Sequence, residues 1–403
     1  MGGTSEGATE AVSGSGRVRR FSTGTDPAGY DFRATVELFT QYGRPILMAI
    51  SQLRAMDFLF PRMSRLYQDA LDPELLFRQT MPAAAVGART GADPEVLAEY
   101  LKIYALGQTL ILNNMDRHLD LSASYSIRDP ALLLADVNST MCLSVTSLLT
   151  MVREASLTPA GVRALPVMAG VTAEIVQSMY DNYAARFDQA LLEDGESLVN
   201  WYRMDVRSRH LGSGFYSSCL LGLLAYLGKP VPDGLADRLR DMRRLRQRVD
   251  ELADLFEDTV TGLVSYPVAK GLAEPMLKAD LRRLISKLWT RAQQVIDSHG
   301  RDAGVLNRAL VGDPELNETH SAMLEMLVSG GIMRECYREA DALWREIALG
   351  LNALDPRFGE PLIAIIDLKR ALLDRLAMNG WHDDPPPHTF QDMIEAAGLE
   401  ATT

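Results

Sequence analysis

Apolar residues along most of the chain recur at steps of three and four positions, the spacing that places them on one face of an α-helix. The pattern is clear in VELFTQYGRPILMAISQL, in EVLAEYLKIYALGQTLIL and in LLLADVNSTMCLSVTSLLTMV. Runs in which apolar and polar residues alternate, as they do in half-buried β-strands, are nearly absent. The pattern therefore predicts an all-α protein of about ten to twelve helices.

Proline residues divide these helical patterns. An Asp-Pro or Thr-Pro pair is typical of a helix start, because the first side chain caps the helix and Pro fits its first turn. The predicted breaks are at Pro82, Asp93-Pro94, Asp129-Pro130, Thr158-Pro159, Pro230-Val231-Pro232, Asp313-Pro314 and Asp355-Pro356.

The composition changes only near the two ends of the chain. Residues 1–27 are rich in Gly, Ser and Thr, which predicts a disordered tail. The segment 381–403 opens with WHDDPPPHTF, for which we expect a proline-stiffened turn followed by one short helix. Between them we find no repeat and no break in composition, so residues 28–380 predict a single helical domain.

The charge of the chain argues against one class of function. Its 403 residues carry a formal net charge of −12, which disfavours binding to nucleic acid through phosphate neutralisation. We find no apolar run of about 18 residues and no signal-peptide pattern, so no membrane-spanning helix is expected. Three widely separated cysteines, Cys142, Cys219 and Cys336, fit small buried side chains in a reducing compartment. We therefore expect a cytoplasmic protein.

Two acidic sets far apart in the chain have carboxylates spaced i, i+4. Asp116 and Asp120 lie in NNMDRHLD, and Asp250, Glu251 and Asp254 lie in RQRVDELADLFED. On a helix this spacing projects the carboxylates from one face. Two such faces across a cavity offer the oxygen ligands that Mg²⁺ prefers, and metal ions held there would bind a diphosphate. The competing interpretation of each set is a solvated helix with ordinary i, i+4 ion pairs.

The order and spacing of several segments resemble the trans-polyprenyl diphosphate synthase family. GRPILMAI resembles its early Arg-Pro element, DRHLD its first aspartate-rich motif, and HLGSGFYSSCLLGLLAYLG its Lys-Thr helix with the Gly-rich segment after it. RQRVDELAD with VSYPVAKGL resembles its second aspartate-rich motif and the segment downstream, and VGDPELNETHSAMLEMLVSGGIMRECYREA its C-terminal helices. The resemblance covers roughly 30–376 and implies an isoprenoid synthase type helical bundle around a central cavity.

The departures from the family pattern mainly remove cations. Chain-elongating members hold isopentenyl diphosphate with a Lys-Arg pair where this chain has Gln41 and Tyr42, which leaves Arg44 alone. The double Arg after the first aspartate-rich motif is missing, with only Arg128 nearby, and His210 replaces the family's Lys. Each lost charge-assisted contact removes about 1.5–3 kcal/mol of binding. The resemblance therefore implies a site for one prenyl diphosphate without a diphosphate co-substrate.

The resemblance also implies roles for individual residues of that site. Mg²⁺ would be bound by Asp116, Asp120, Asp250, Glu251 and Asp254, of which the four aspartates are the catalytic residues. Two residues, Arg117 and Glu251, stand where the motifs have their second Asp. The diphosphate would be bound by Arg44, Arg117, Arg128, Arg209 and His210. The apolar cavity would be lined by Ile111, Leu112 and Phe215.

Together these features predict a Mg²⁺-dependent class I terpene synthase-like enzyme, which is a carbon–oxygen lyase. It would ionise one prenyl diphosphate of farnesyl to geranylgeranyl size and cyclise or rearrange the allylic cation. Three alternatives stay open: a prenyltransferase to a non-prenyl acceptor, a chain-elongating polyprenyl diphosphate synthase, and a catalytically silent partner subunit. Because this architecture commonly dimerises, we expect a homodimer. Asn317, Ser321 and Glu325 also match the spacing of the terpene synthase metal triad, which arises readily by chance in helical sequence.

Overall fold

The computed structural model describes residues 32–56, 73–109, 145–170, 199, 214–262, 264–299, 309–381 and 390–399. Within these ranges every regular element is helical, which confirms the predicted all-α class. The helices are α1 (Phe32–Arg54), α2 (Pro73–Arg89), α3 (Pro94–Tyr104), α4 (145–156), α5 (159–170), α6 (Gly214–Tyr226), α7 (Leu235–Ala253), α8 (Leu255–Thr261), α9 (Tyr266–Ala273), α10 (Pro275–His299), α11 (Pro314–Ser329), α12 (Ile332–Asn352), α13 (Pro356–Met378) and α14 (Phe390–Ala396). A π-helical segment, Ala105–Thr109, continues α3.

The predicted Asp-Pro helix starts are confirmed wherever the structure describes them. In each case the Asp carboxylate accepts a hydrogen bond from a backbone N–H of the first turn, and Pro follows at the first helical position. These bonds are 2.8 Å long at Asp93, 2.9 Å at Asp313 and 2.9 Å at Asp355. Thr158 caps α5 in the same way, by accepting a bond of 3.0 Å from the N–H of Gly161. Local sequence therefore determines where these four helices begin.

The break predicted at Pro82 is wrong. Pro82 lies inside α2, which continues without interruption to Arg89. Its missing N–H removes one backbone hydrogen bond from the helix. Residues 83–86 are completely buried, however, so the packing of this turn outweighs the local cost. The predicted break at Asp129-Pro130 lies outside the described residues.

Helix α7 has neighbours on several sides. It packs against α6, α9, α12 and α13, while α2 packs against α1, α6 and α13. Helices α8, α10 and α11 bury a second, smaller apolar cluster. The C-terminal helix α14 packs against α1, and its residues Met393 and Ile394 belong to the main core. The short helix expected near the C-terminus is thus an integral part of the packing.

The expectations for the cysteines and for membrane-spanning helices can be compared with the described residues. Cys219 and Cys336 are buried and free, as expected, and Cys142 lies outside the described residues. Among the described helices, none combines the length and apolar character needed to cross a membrane.

We predict that Gly222→Ala destabilises the protein. Gly222 faces the buried hydroxyl of Tyr100, which donates a hydrogen bond of 2.6 Å to the carbonyl of Cys219. A Cβ at position 222 would lie 2.4 Å from that hydroxyl and 2.9 Å from Cγ of Met168. Overpacking of this kind costs about 1–3 kcal/mol, which denaturant unfolding would detect.

The matched control for this substitution is Gly170→Ala. Gly170 is also helical, but a Cβ there would meet no atom within 4 Å. Replacing a helical Gly with Ala in open space stabilises by up to about 1 kcal/mol. The two substitutions should therefore have opposite signs, and equal effects would contradict the close approach of α3 and α6.

We also predict that the buried amine of Lys369 makes stability depend on pH. Burial in α13 lowers the pKa of Lys369 to about 7, whereas the pKa of an exposed lysine is ~10.4. Between these two values the unfolded chain holds a proton that the native protein has released. The free energy of unfolding should therefore rise with pH, by about 1.4 kcal/mol per pH unit from this group.

Denaturant unfolding of the wild type and of Lys369→Met between about pH 7 and 10 would measure this contribution. The wild type should gain stability relative to the variant as the pH rises. Parallel pH profiles for the two proteins would show that Lys369 keeps an ordinary pKa.

Candidate functional site

The second acidic set lies at the C-terminal end of α7. The backbone N–H of Asp254 donates a hydrogen bond of 2.8 Å to the carbonyl of Asp250, so these residues are one helical turn apart as predicted. The helix then bends at Asp254, where φ is −95° and ψ is 21°, and α8 begins at the next residue. Both aspartates are half-buried. Two carboxylates thus lie one turn apart on the same side of the end of α7.

Helix α7 is not the solvated helix of the competing interpretation. Its apolar residues recur at helical spacing and are buried: Leu235, Leu239, Met242, Leu245, Val249 and Leu252. Charged and amide side chains beside them are also buried, with Arg243, Arg246 and Gln247 between 4% and 7% exposed. The Nε of Arg243 donates a hydrogen bond of 3.0 Å to the hydroxyl of Ser217 on α6.

Glu251 differs from its two neighbours in the acidic set. Its side chain is only 1% exposed, and each carboxylate oxygen accepts a hydrogen bond. Oε1 accepts from Nε2 of Gln247 at 2.9 Å, and Oε2 accepts from the backbone N–H of Tyr266 at 3.0 Å. Nη1 of Arg248 lies 3.9 Å from Oε2. The structure therefore places Glu251 between α7 and the first residue of α9.

A polar cluster continues from α9 to α12. The hydroxyl of Tyr266 donates a bond of 2.7 Å to Glu339, and Nζ of Lys270 lies 2.7 Å from Glu335 and 2.8 Å from Glu339. The guanidinium carbon of Arg248 lies 3.6 Å from the centre of the Tyr266 ring. Burial, with the bond to Glu339, raises the pKa of Tyr266 to about 12.

The amine of Lys270 stays positively charged within this cluster. Burial lowers the pKa of Lys270, but the hydrogen bonds from its amine to Glu335 and Glu339 outweigh that effect and raise it. The cluster therefore joins α9 to α12 through charge-assisted hydrogen bonds, which are stronger than neutral ones.

The first acidic set, Asp116 and Asp120, lies outside the described residues, and so do Ile111 and Leu112. The chain that leads toward them is described as far as the π-helical segment after α3. Within that segment a Cβ on Gly107 would lie 1.7 Å from Sδ of Met151 on α4. A larger residue at position 107 would therefore require the side chain of Met151 to move. Such π-helical segments are frequent at functional sites.

The predicted diphosphate-binding cations are described only in part. Arg44 is exposed on α1. This helix packs against α2, α3 and α14, none of which is among the neighbours given above for α7. Arg117, Arg128, Arg209 and His210 lie outside the described residues. Phe215 belongs to the first turn of α6, and its side chain lies outside the described part of the structure.

Tyr42 replaces an expected cation and is buried, 6% exposed. Its hydroxyl is hydrogen-bonded to Arg89 at the end of α2, and this bond raises the pKa of Arg89. The same guanidinium forms an ion pair of 2.8 Å with Glu360. A cation therefore lies beside Tyr42, but a carboxylate already contacts it.

The alternative metal triad on α11 consists of Asn317, Ser321 and Glu325. The amide nitrogen of Asn317 donates bonds of 2.8 and 2.9 Å to the carbonyls of Val311 and Asp313. Ser321 and Glu325 are exposed, and α11 packs against α9, α10 and α12. These contacts give Asn317 the role of holding the turn that precedes α11.

The donor set at the end of α7 fits a hard cation only in part. Among the described residues, no group of three or more His, Cys, Asp and Glu side chains is arranged to hold a metal ion. Asp250 and Asp254 provide carboxylate oxygens of the kind that Mg²⁺ prefers. Two carboxylates alone do not complete a metal site, and any further ligands would have to come from substrate, water or the first acidic set.

Sequence spacing did not reveal the contact between Glu251 and Tyr266. The i, i+4 pattern identified Asp250 and Asp254, but the contact of Glu251 with Tyr266 links residues 15 positions apart. One signal was available in the Pro267 that follows Tyr266. Pro in a first turn marks the start of a helix, whose N–H groups require acceptors.

Comparison with known proteins supports the fold. Neither the models of known protein families nor the curated proteins include a match. Among solved structures, decaprenyl diphosphate synthase from Rhodobacter capsulatus matches with a TM-score of 0.56 and 15% identity, over 85% of this chain and 99% of that chain. Polyprenyl synthase from Caulobacter crescentus CB15, complexed with calcium and isoprenyl diphosphate, matches with a TM-score of 0.53 and 13% identity, over 85% and 98%.

Geranylgeranyl pyrophosphate synthase from Corynebacterium glutamicum matches with a TM-score of 0.53 and 14% identity, over 88% of this chain and 98% of that chain. At these identities the similarity concerns the course of the helices rather than individual side chains. The chain therefore has the all-helical isoprenoid synthase fold of the polyprenyl and geranylgeranyl diphosphate synthases.

Proposed function

We propose that this protein is a Mg²⁺-dependent enzyme that ionises one prenyl diphosphate of farnesyl to geranylgeranyl size. The allylic cation then cyclises or rearranges, as in class I terpene synthases. The observation that carries the proposal is the pair Asp250 and Asp254, one turn apart at the end of α7 within an isoprenoid synthase fold. Two solved structures with this fold are complexed with calcium and isoprenyl diphosphate, which supports a divalent metal here.

In this proposal the residues of the site have two roles, binding metal and excluding water. Asp250 and Asp254 would hold divalent metal together with Asp116 and Asp120 of the first acidic set. The bound metal would neutralise the charge that develops on the departing diphosphate. The buried faces of the surrounding helices would exclude water from the allylic cation.

Chain elongation is the second candidate function. The solved structures with the same fold bear the names of enzymes that make long prenyl diphosphates, and this supports the candidate equally well. It requires a second diphosphate to be bound. Against it, Tyr42 occupies the place of an expected cation, and the nearby Arg89 is already paired with Glu360. The proposal therefore favours a single diphosphate substrate.

Incubation with single substrates tests the function directly. The purified protein with Mg²⁺ would receive geranyl, farnesyl or geranylgeranyl diphosphate, each with and without isopentenyl diphosphate. We expect a hydrocarbon or alcohol from one allylic diphosphate alone, detected by gas chromatography with mass detection. Asp250→Asn should lower kcat/KM by about 10²–10³-fold, the scale for loss of one electrostatic contact with a transition state.

Two variants on α11 serve as controls for this assay. Glu318→Gln changes an exposed carboxylate and should leave activity unchanged. Glu325→Gln should also have no effect, because the α11 triad has no metal role in this proposal. A longer diphosphate formed only with isopentenyl diphosphate would overturn the cyclase proposal in favour of elongation. Absence of turnover would favour an acceptor prenyltransferase or a silent partner subunit.

We further propose that two copies of the chain pair through α4. Val145, Leu148, Leu149 and Val152 recur at i, i+3, i+4 and i+7, and each is between 40% and 57% exposed. An exposed apolar stripe of this length is typical of an interaction surface. A second copy would cover it with an identical stripe about a two-fold axis. The cytoplasmic location stays a prediction.

The expected homodimer can be measured by size-exclusion chromatography with light scattering. The wild type should have twice the mass of one chain. Leu149→Glu places a charge in the centre of the stripe and should yield a monomer. Leu349→Glu is the matched control, because Leu349 is 73% exposed but belongs to a different helix, α12. A monomeric wild type, or dimers of both variants, would contradict pairing through α4.

A further inference from the structure

Glu251 contacts protein groups with both of its carboxylate oxygens. One oxygen accepts from the amide of Gln247 and the other from the backbone N–H of Tyr266. The side chain is almost completely buried. Each oxygen keeps a second lone pair, but the side chain is only 1% exposed, so a metal ion could reach it only if α7 and α9 moved apart. That movement would leave the buried N–H of Tyr266 without its acceptor, which is costly, so the observed contacts oppose a metal role.

The contact with Tyr266 provides α9 with an N-terminal cap. Ser265 occupies the N-cap position, but its side chain makes no capping hydrogen bond. Tyr266 is the first residue of the helix, and Pro267 after it has no N–H to donate. Glu251 therefore supplies from α7 both the missing acceptor and a negative charge at the positive end of the helix dipole.

The cap connects the second acidic set to the rest of the bundle. From Tyr266 the contacts continue through its hydroxyl to Glu339 on α12, and Lys270 binds the same carboxylate. Arg248 lies against the ring of Tyr266, one residue from Gln247. The end of α7 is thus held to α9, and α9 to α12, through the residue that follows Asp250.

We propose that Glu251 is a positioning residue that holds the end of α7 against α9, so that Asp250 and Asp254 are the metal ligands of this set. The inference rests on the proposed function for the identity of the metal site. It changes the prediction from sequence, which counted Glu251 among the metal ligands. The role requires hydrogen-bond acceptance, and it does not require the negative charge of a ligand.

The substitution Glu251→Gln separates these two roles. A glutamine keeps one oxygen for the N–H of Tyr266, and its NH₂ group can face Gln247 once that amide has turned. Both contacts therefore survive without the charge. Glu251→Ala removes both contacts, and Asp250→Asn provides the pattern expected for loss of a metal ligand.

Metal binding would be measured on the full-length protein by electron paramagnetic resonance of Mn²⁺ in the presence of inorganic pyrophosphate. Glu251→Gln should bind Mn²⁺ within about twofold of the wild type. Asp250→Asn should bind about tenfold more weakly or worse, and Glu251→Ala should also lose affinity because the ligands shift. Loss of binding in Glu251→Gln equal to that in Asp250→Asn would overturn the proposal.

Two further readouts do not depend on metal. Thermal unfolding should show a loss of several degrees in Glu251→Ala and recovery of most of it in Glu251→Gln. Amide hydrogen exchange at Tyr266 should accelerate in Glu251→Ala alone. If the wild type binds no Mn²⁺, the proposed function fails, and these two measurements still decide whether Glu251 holds α9. Unchanged exchange and unchanged unfolding in Glu251→Ala would refute the positioning role.

Discussion

Burial of the charged helix α7 is the constraint on which the rest of this structure depends. The helix packs against α6, α9, α12 and α13, yet its buried surface includes Arg243, Arg246, Gln247 and Glu251. A charge removed from water is tolerated only where other groups bind it. The neighbouring helices therefore have to present polar partners at defined places, such as Ser217 on α6 for Arg243. These requirements limit how α6 and α9 can be placed around α7.

The packing of α7 also gives the adjacent residues Asp250 and Glu251 different surroundings. Consecutive residues of an α-helix differ in direction by about 100°. Asp250 therefore lies on the half-buried side of α7, and the next residue, Glu251, points into the interface with α9. The bend at Asp254 then ends the helix, so Asp250 and Asp254 keep the same side within its last turn. A motif that reads as one acidic set is thus divided by helix geometry into two kinds of residue.

Whether a feature of this fold could be predicted from the sequence depends on how far apart in the sequence the interacting residues lie. The helix starts after Asp93, Asp313 and Asp355 follow from interactions within three residues, and they were predicted. The continuation of α2 through Pro82 depends on burial by other helices, which local propensity does not contain.

In the candidate site, too, the local features were predicted and the features that depend on other helices were not. The i, i+4 relation of Asp250 and Asp254 was predicted from spacing alone, since one helical turn determines it. The burial of Arg243 and Arg246 was missed, because a helix with charges on many sides resembles a solvated one until its neighbours are known. The contact of Glu251 with Tyr266 depends on where the chain returns after α8, and spacing carries no information about that return.

The length of the side chain at position 251 determines which groups its carboxylate can reach. The motif that this segment resembles has Asp at that position, and Glu differs by one methylene, which extends the carboxylate by about 1.5 Å. In this structure Oε2 of Glu251 lies 3.0 Å from the backbone N of Tyr266, which is an ordinary hydrogen-bond length. A shorter side chain would lengthen this distance beyond hydrogen bonding. An aspartate on the same backbone would leave that N–H without its acceptor. Because helix geometry already directs position 251 toward α9, the extra methylene of Glu lets its carboxylate reach the backbone N–H of Tyr266. The end of α7, where Asp250 and Asp254 lie, is thereby attached to α9, and Tyr266 in turn contacts Glu339 on α12.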